Sequence, residues 1–174
     1  MSNLAQFIRD VPGFPKPGVV FKDITPLVAD PGALRRAVAQ LADPFRDARV
    51  DLVVAAEARG FIFGAAVACE LGAGFVPVRK PGKLPAETTA EDYELEYGTD
   101  TLEIHTDAIQ PGDRVLLLDD LLATGGTMAA MAALVEKLGG EVVGIAFLIE
   151  LAFLGGREKL KGRNLVTLIT YESE

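Results

Sequence analysis

Five short apolar runs, Leu52–Ala56, Phe75–Val78, Val115–Leu118, Val142–Ile149 and Leu165–Ile169, alternate along the chain with segments of helical periodicity. Leu34, Val38 and Leu41 recur at helical spacing. They follow Asp30, a residue type that caps helix N-termini, and Pro31, which suits a first helical position because it has no N–H to leave unpaired. Ile62, Ala65, Ala66 and Cys69 form a second stripe, ended by Gly72. Met128, Met131, Val135 and Leu138 form a third, ended by Gly139-Gly140, with the methionines and Cys69 read as core. The alternation predicts an α/β fold: a mostly parallel twisted sheet with helices on both faces. In 174 residues this makes a single domain over 1–174, able to bury roughly 70% of the surface its unfolded chain exposes.

Two segments break the rhythm. Residues 11–29 carry four prolines and two glycines and predict an ordered but irregular leader. Residues 80–105 begin with Lys-Pro-Gly-Lys-Leu-Pro, then alternate Tyr93, Leu95 and Tyr97 with Glu94 and Glu96 before Gly98. That pattern predicts a mobile loop and a β-hairpin projecting from the sheet.

Composition excludes several functions. A single cysteine, Cys69, rules out an internal disulfide and a multi-cysteine zinc site, and one histidine, His105, rules out a His-rich metal site. A net charge of -8 argues against nucleic acid as a partner. No apolar run approaches the roughly 20 residues that span a bilayer, and residues 1–10 lack the apolar core of a secretory signal. The expectation is a cytoplasmic chain with no membrane partner.

The most informative stretch is Val115 to Thr127, VLLLDDLLATGGT. Four apolar residues predict a central strand that ends at Asp119 and Asp120. A short turn then feeds a helix starting near Thr127. In open parallel sheets, ligands bind beyond the carboxyl ends of the strands. A helix N-terminus offers unpaired N–H groups and partial positive charge. Gly125 and Gly126 let the backbone approach closely, and Thr124 and Thr127 add hydroxyls. No lysine follows the glycines, so this is not an ATP-type P-loop, and G-x-G-x-x-G is absent. A phosphate cradle beside two acceptors suits a ribose 5-phosphate, with the acids taking the 2′ and 3′ hydroxyls.

This stretch resembles the phosphoribosyl-pyrophosphate motif of the type I phosphoribosyltransferases. Three more resemble the adenine-specific members of that family: Phe14 to Leu27 (FPKPGVVFKDITPL), Glu57-Ala58-Arg59-Gly60-Phe61, and Leu95-Glu96-Tyr97-Gly98 followed by Leu102-Glu103-Ile104. The resemblance implies transfer of the phosphoribosyl group from 5-phosphoribosyl-1-pyrophosphate to adenine, with Mg²⁺, giving AMP and pyrophosphate. It implies a homodimer, and a metal held by substrate and water with no direct protein ligand.

The resemblance also implies roles. Ala123, Thr124, Gly125, Gly126 and Thr127 take the 5-phosphate, and Asp119 and Asp120 the ribose. Arg59, Arg79, Lys80 and Lys83 take the pyrophosphate. Phe21 stacks on adenine, the backbone of Val20 and Lys22 reads its edge, and Leu121 covers its other face. The hairpin is implied to be a hood closing over the site, with Glu96 handling a proton near the base. Blander readings stand beside these: Phe21 as core, Arg59 as a surface residue paired with Glu57, the 79–83 trio as a solvated basic loop, Glu96 as an exposed strand carboxylate and His105 as structural. Rival functions are transfer to another purine, and a non-catalytic regulator that binds the sugar pyrophosphate.

Overall fold

The computed structural model describes residues 3–94 and 98–173. The leader is more regular than its prolines suggest. β1 (Arg9–Pro12) and β2 (Val20–Asp23) form an antiparallel pair. The short α1 (Thr25–Ala29) and then α2 (Pro31–Ala42) follow. Asp30 caps α2 as expected, its carboxylate accepting the Ala33 N–H at 2.6 Å.

The alternating unit then runs β3 (Leu52–Ala56), α3 (Arg59–Leu71) and β4 (Gly74–Val78). The hairpin β5 (Thr88–Glu94) and β6 (Thr99–His105) comes next, and then β7 (Arg114–Leu122), α4 (Gly126–Lys137), β8 (Glu141–Leu151) and β9 (Leu165–Tyr171). The central sheet has five strands, all parallel, in the order β4-β3-β7-β8-β9. From β3 the chain winds outward to β4, and from β7 it winds the opposite way to β8 and β9. The crevice beyond the carboxyl ends of β3 and β7 is therefore the topological switch point, where α/β sheets bind ligands.

Side chains of β7 alternate between two cores. Leu116 and Leu118 join α2, α3 and the leader on one face. Val115 and Leu117 join α4 and the hairpin on the other. Both sets are fully buried, which is why the strand reads as an unbroken apolar run.

Three expectations change. First, β7 does not end at the two acids but runs on to Leu122. The long β8 keeps pairing with it through Asp119↔Phe147 and Leu122↔Glu150, whereas pairing with β3 ends at Ala55↔Leu118. Both acids are thus strand residues whose β3-side edge opens on the crevice. Second, α3 turns the other way: Gly60, Phe63, Gly64, Val67 and Ala68 face inward, while Ile62 is 40% exposed and Cys69 is exposed rather than core. Between Gly60 and Cys69 the helix is apolar all round, so its periodicity is degenerate. Contact decides it, since a Cβ on Gly64 would lie 2.7 Å from the Ala55 side chain. Third, the hood lies down on the body. Leu102 and Ile104 are buried with α4, and the loop before β5 is tied to β6, the Gly82 N–H reaching Glu103 at 3.1 Å and the Ala86 N–H reaching His105 Nε2 at 3.3 Å.

Candidate active site

Between the end of β7 and the start of α4 lie only Ala123, Thr124 and Gly125. Gly125 caps α4 in the left-handed region, φ 79°, and no side chain caps the helix. The first-turn N–H groups, from Gly126 onward, therefore lack a side-chain cap among the described residues. A hollow of about 80 Å³ lies there, lined by residues 121–128 with Asp119 and Phe147. A second hollow, about 220 Å³, adjoins it at Asp119, Leu121 and Thr127 and is walled by Glu57, Arg59, Lys80, Tyr93 and Asp120.

The acids at this junction are adjacent and in contact, and Asp120 is buried. Asp119 Oδ1 accepts the Asp120 N–H at 2.9 Å. Burial pushes the Asp119 carboxyl well above the usual range, and the Asp120 charge adds to the effect. Burial also raises Asp120, opposed by the Arg59 guanidinium. Arg59 Nε lies 2.9 Å from Asp120 Oδ2, but its N–H is not aimed at that oxygen, which remains a buried acceptor with no aligned donor among the described residues. Two acids with spare acceptor capacity suit hydroxyls and a region of positive charge.

Arg59 extends the constellation to the leader. Its Cζ lies 5.0 Å from the centre of the Phe21 ring, and Phe14 meets that ring edge-on at 5.2 Å. The Gly13 N–H donates to the Val19 carbonyl at 2.8 Å. With Val11 opposite Phe21, the odd-numbered positions of the antiparallel ladder carry its hydrogen bonds. Pro12, which has no donor, falls opposite Val20 in a non-bonded pair. The N–H and C=O of Val20 and Lys22 therefore point to the other edge of β2, which no strand covers among the described residues. The Lys22 side chain is turned away, 2.8 Å from Asp10 and 4.2 Å from the Tyr171 ring centre.

The fold thus draws together Phe21, Arg59, Lys80, Asp119, Asp120, Leu121 and the 123–127 turn. Arg79 and Lys83 stand apart within this chain. Arg79 donates to Glu57 at 3.1 Å, and Lys83 is exposed. Glu57 is therefore the partner of Arg79 and not of Arg59. It also accepts the Lys80 N–H at 2.5 Å, the main reason its carboxyl sits below the usual range. The Lys80 ammonium meets the Asp100 carboxylate and the Tyr93 hydroxyl on the hairpin. Glu96, with Leu95 and Tyr97, lies outside the described residues.

Sequence reasoning missed two glycines. A Cβ on Gly60 would lie 2.7 Å from Asp119 Oδ1, and one on Gly156 would run into the Ala123 carbonyl oxygen. Gly60 stood in a quoted motif, but only as a turn former. Nothing local shows where the Gly155-Gly156 pair lands.

A family model described as "Phosphoribosyl transferase domain" matches residues 28–166. The adenine phosphoribosyltransferase of Alkaliphilus metalliredigens is 62% identical over 169 residues, covering 97% of this chain and 99% of the relative. The crystal structure of the adenine phosphoribosyltransferase from Thermoanaerobacter pseudethanolicus superposes with a TM-score of 0.94 at 56% identity, over 97% of this chain and 98% of that one. The Saccharomyces cerevisiae enzyme, solved with an imino-altritol bisphosphate and adenine, gives 0.89 at 41% identity over 95% and 96%.

Proposed function

This chain belongs to the phosphoribosyltransferase family, among its adenine phosphoribosyltransferases, and from that membership we propose how its residues divide the reaction. The enzyme transfers the 5-phosphoribosyl group of 5-phosphoribosyl-1-pyrophosphate to adenine, giving AMP and pyrophosphate. The observation that carries our assignment of roles is the line of contacts at the switch point. It runs from Phe21 through Arg59 to Asp120 and Asp119, and on to the bare N-terminus of α4.

In this reading the 5-phosphate sits on the 123–127 turn. Asp119 and Asp120 accept from the ribose hydroxyls and favour the positive charge that builds on the sugar as its bond to pyrophosphate lengthens. Arg59 and Lys80 hold the leaving group, for which Lys80 exchanges Asp100. Adenine stacks on Phe21, the open edge of β2 at Val20 and Lys22 reads its ring edge, and Leu121 closes the other side. Glu96 handles the proton of the incoming base. The hood keeps water off the sugar cation.

Mg²⁺ fits this site indirectly. Two adjacent acids, one with a buried oxygen lacking an aligned donor among the described residues, offer acceptors for hydroxyls and metal-bound waters. When bound, the ion neutralises charge on the departing pyrophosphate. We place the working unit as a homodimer in the cytoplasm. The outward apolar face of α3, with Ile62 at 40% exposure, supports the dimer, and a partner would bring Arg79 and Lys83 a second surface to act on.

The test is AMP formation from adenine, the sugar pyrophosphate and Mg²⁺, beside guanine, hypoxanthine and xanthine. Strong preference for adenine is expected. Preference for another base would overturn the Phe21 assignment while leaving the phosphate site.

A further inference from the structure

The segment after β8 presses on the phosphate turn from behind. It forms single 3₁₀ turns over Ala152–Leu154 and Gly156–Leu160. A Cβ on Gly125 would lie 2.5 Å from the Gly156 carbonyl oxygen. One on Gly156 would lie 2.9 Å from Leu122 Cδ1, besides striking the Ala123 carbonyl oxygen. Backbone therefore meets backbone here with no side chain between.

The pressing segment is itself anchored to both elements that the turn connects. Glu150, 3% exposed, stands opposite Leu122 of β7. It receives Arg157 in a fork, Nε to Oε1 at 2.6 Å and Nη2 to Oε2 at 2.7 Å. The Thr167 hydroxyl donates to Oε2 at 3.0 Å. Arg163 reaches Glu136 of α4 at 2.7 Å, and Leu160 is buried in the core that α4 shares.

What the turn lacks explains the need for this brace. It has no lysine and no capping side chain, so its hold on a phosphate depends on where a few N–H groups point. Hydrogen bonds weaken steeply with misalignment. We propose that Gly156, fixed by the Arg157 fork on Glu150, is a positioning residue for the 5-phosphate. It touches no substrate and keeps the Ala123–Gly126 backbone in its binding geometry. This rests on the assignment of the turn as the phosphate site.

Ribose 5-phosphate, which carries neither base nor pyrophosphate, is the probe, titrated calorimetrically into the full-length enzyme. Gly156→Ala is expected to weaken its binding about tenfold or more and to raise KM for the sugar pyrophosphate in parallel. The KM for adenine and the kcat at saturation stay within about threefold of wild type. Arg157→Lys keeps the charge but loses the fork, and shifts both values less in the same direction. Gly162→Ala is the control: its φ of +83° strains an alanine, but open space surrounds the added Cβ. It lowers the melting temperature and leaves ribose 5-phosphate binding unchanged. Unchanged binding in Gly156→Ala, or in Arg157→Lys if Gly156→Ala does not fold, overturns the proposal, as does equal weakening by Gly162→Ala. A wild-type enzyme that binds no ribose 5-phosphate would instead remove the phosphate assignment on which it rests.

Discussion

Gly60 and Asp119 stand in direct apposition: a Cβ on the glycine would lie 2.7 Å from the Oδ1 of the acid and 3.6 Å from the Ala55 side chain. Asp119 cannot move aside freely, because that same oxygen accepts the Asp120 N–H. Gly60→Ala should therefore push Asp119 off its proposed place at the ribose and lower kcat/KM about a hundredfold, since displacements near 1 Å cost that much. Steady-state kinetics beside a thermal melt would check it. Near-normal kcat/KM in a folded variant would show that the acid has room to move.

Asp119→Asn separates activity from stability. The amide keeps an acceptor for the Asp120 N–H but loses the charge that burial and Asp120 disfavour. In the wild type the folded pKa lies above the unfolded value of about 3.9. Between the two values the native state holds more protons, so stability falls as pH rises through that window, and the cost is complete above it. The variant should turn over at least about tenfold more slowly, yet melt at the same or a higher temperature near pH 7. That advantage should vanish as the pH approaches about 4. Melts from acid to neutral pH, run with turnover assays, would decide it, and wild-type turnover would sink the ribose role.

The stretch around Asp119 is also where the sequence was most legible. An apolar run, two glycines and a helical stripe are local patterns, and they map onto strand, turn and helix, although the strand runs on through the two acids to Leu122. Non-local facts were out of reach. The length of β7 beyond Leu118 depends on how far β8 extends. The inward face of α3 depends on Gly60 and Gly64 meeting Asp119 and Ala55, since its residues are apolar on every side. That Arg79, not Arg59, takes Glu57 depends on two strands lying side by side.

Phe21→Leu keeps apolar bulk but loses the flat face. Aromatic stacking contributes about 0.5–1.5 kcal/mol beyond buried area, so KM for adenine should rise up to about tenfold. The KM for the sugar pyrophosphate should change less, through the Arg59 contact alone. Initial rates with each substrate varied in turn would test this. Equal rises in both values would argue that Phe21 serves Arg59 and not the base.

Ile62→Glu probes the outward face of α3. A carboxylate in the middle of an apolar contact is costly to desolvate. The variant should therefore sediment as a monomer at micromolar concentration and retain its helical circular dichroism. A dimer of undiminished affinity would place the subunit contact elsewhere.

The order β4-β3-β7-β8-β9 has a consequence for durability. The proposed site lies at the ends of β3 and β7, which have strands on both sides, while β4 and β9 form the rims. Opening by fluctuation begins at rims and reaches interior strands last. The amides of Val53–Ala55 and Leu116–Leu118 should thus be among the slowest in the molecule to exchange with solvent. The turns and loops assigned to binding are free to move because the strands they spring from loosen last.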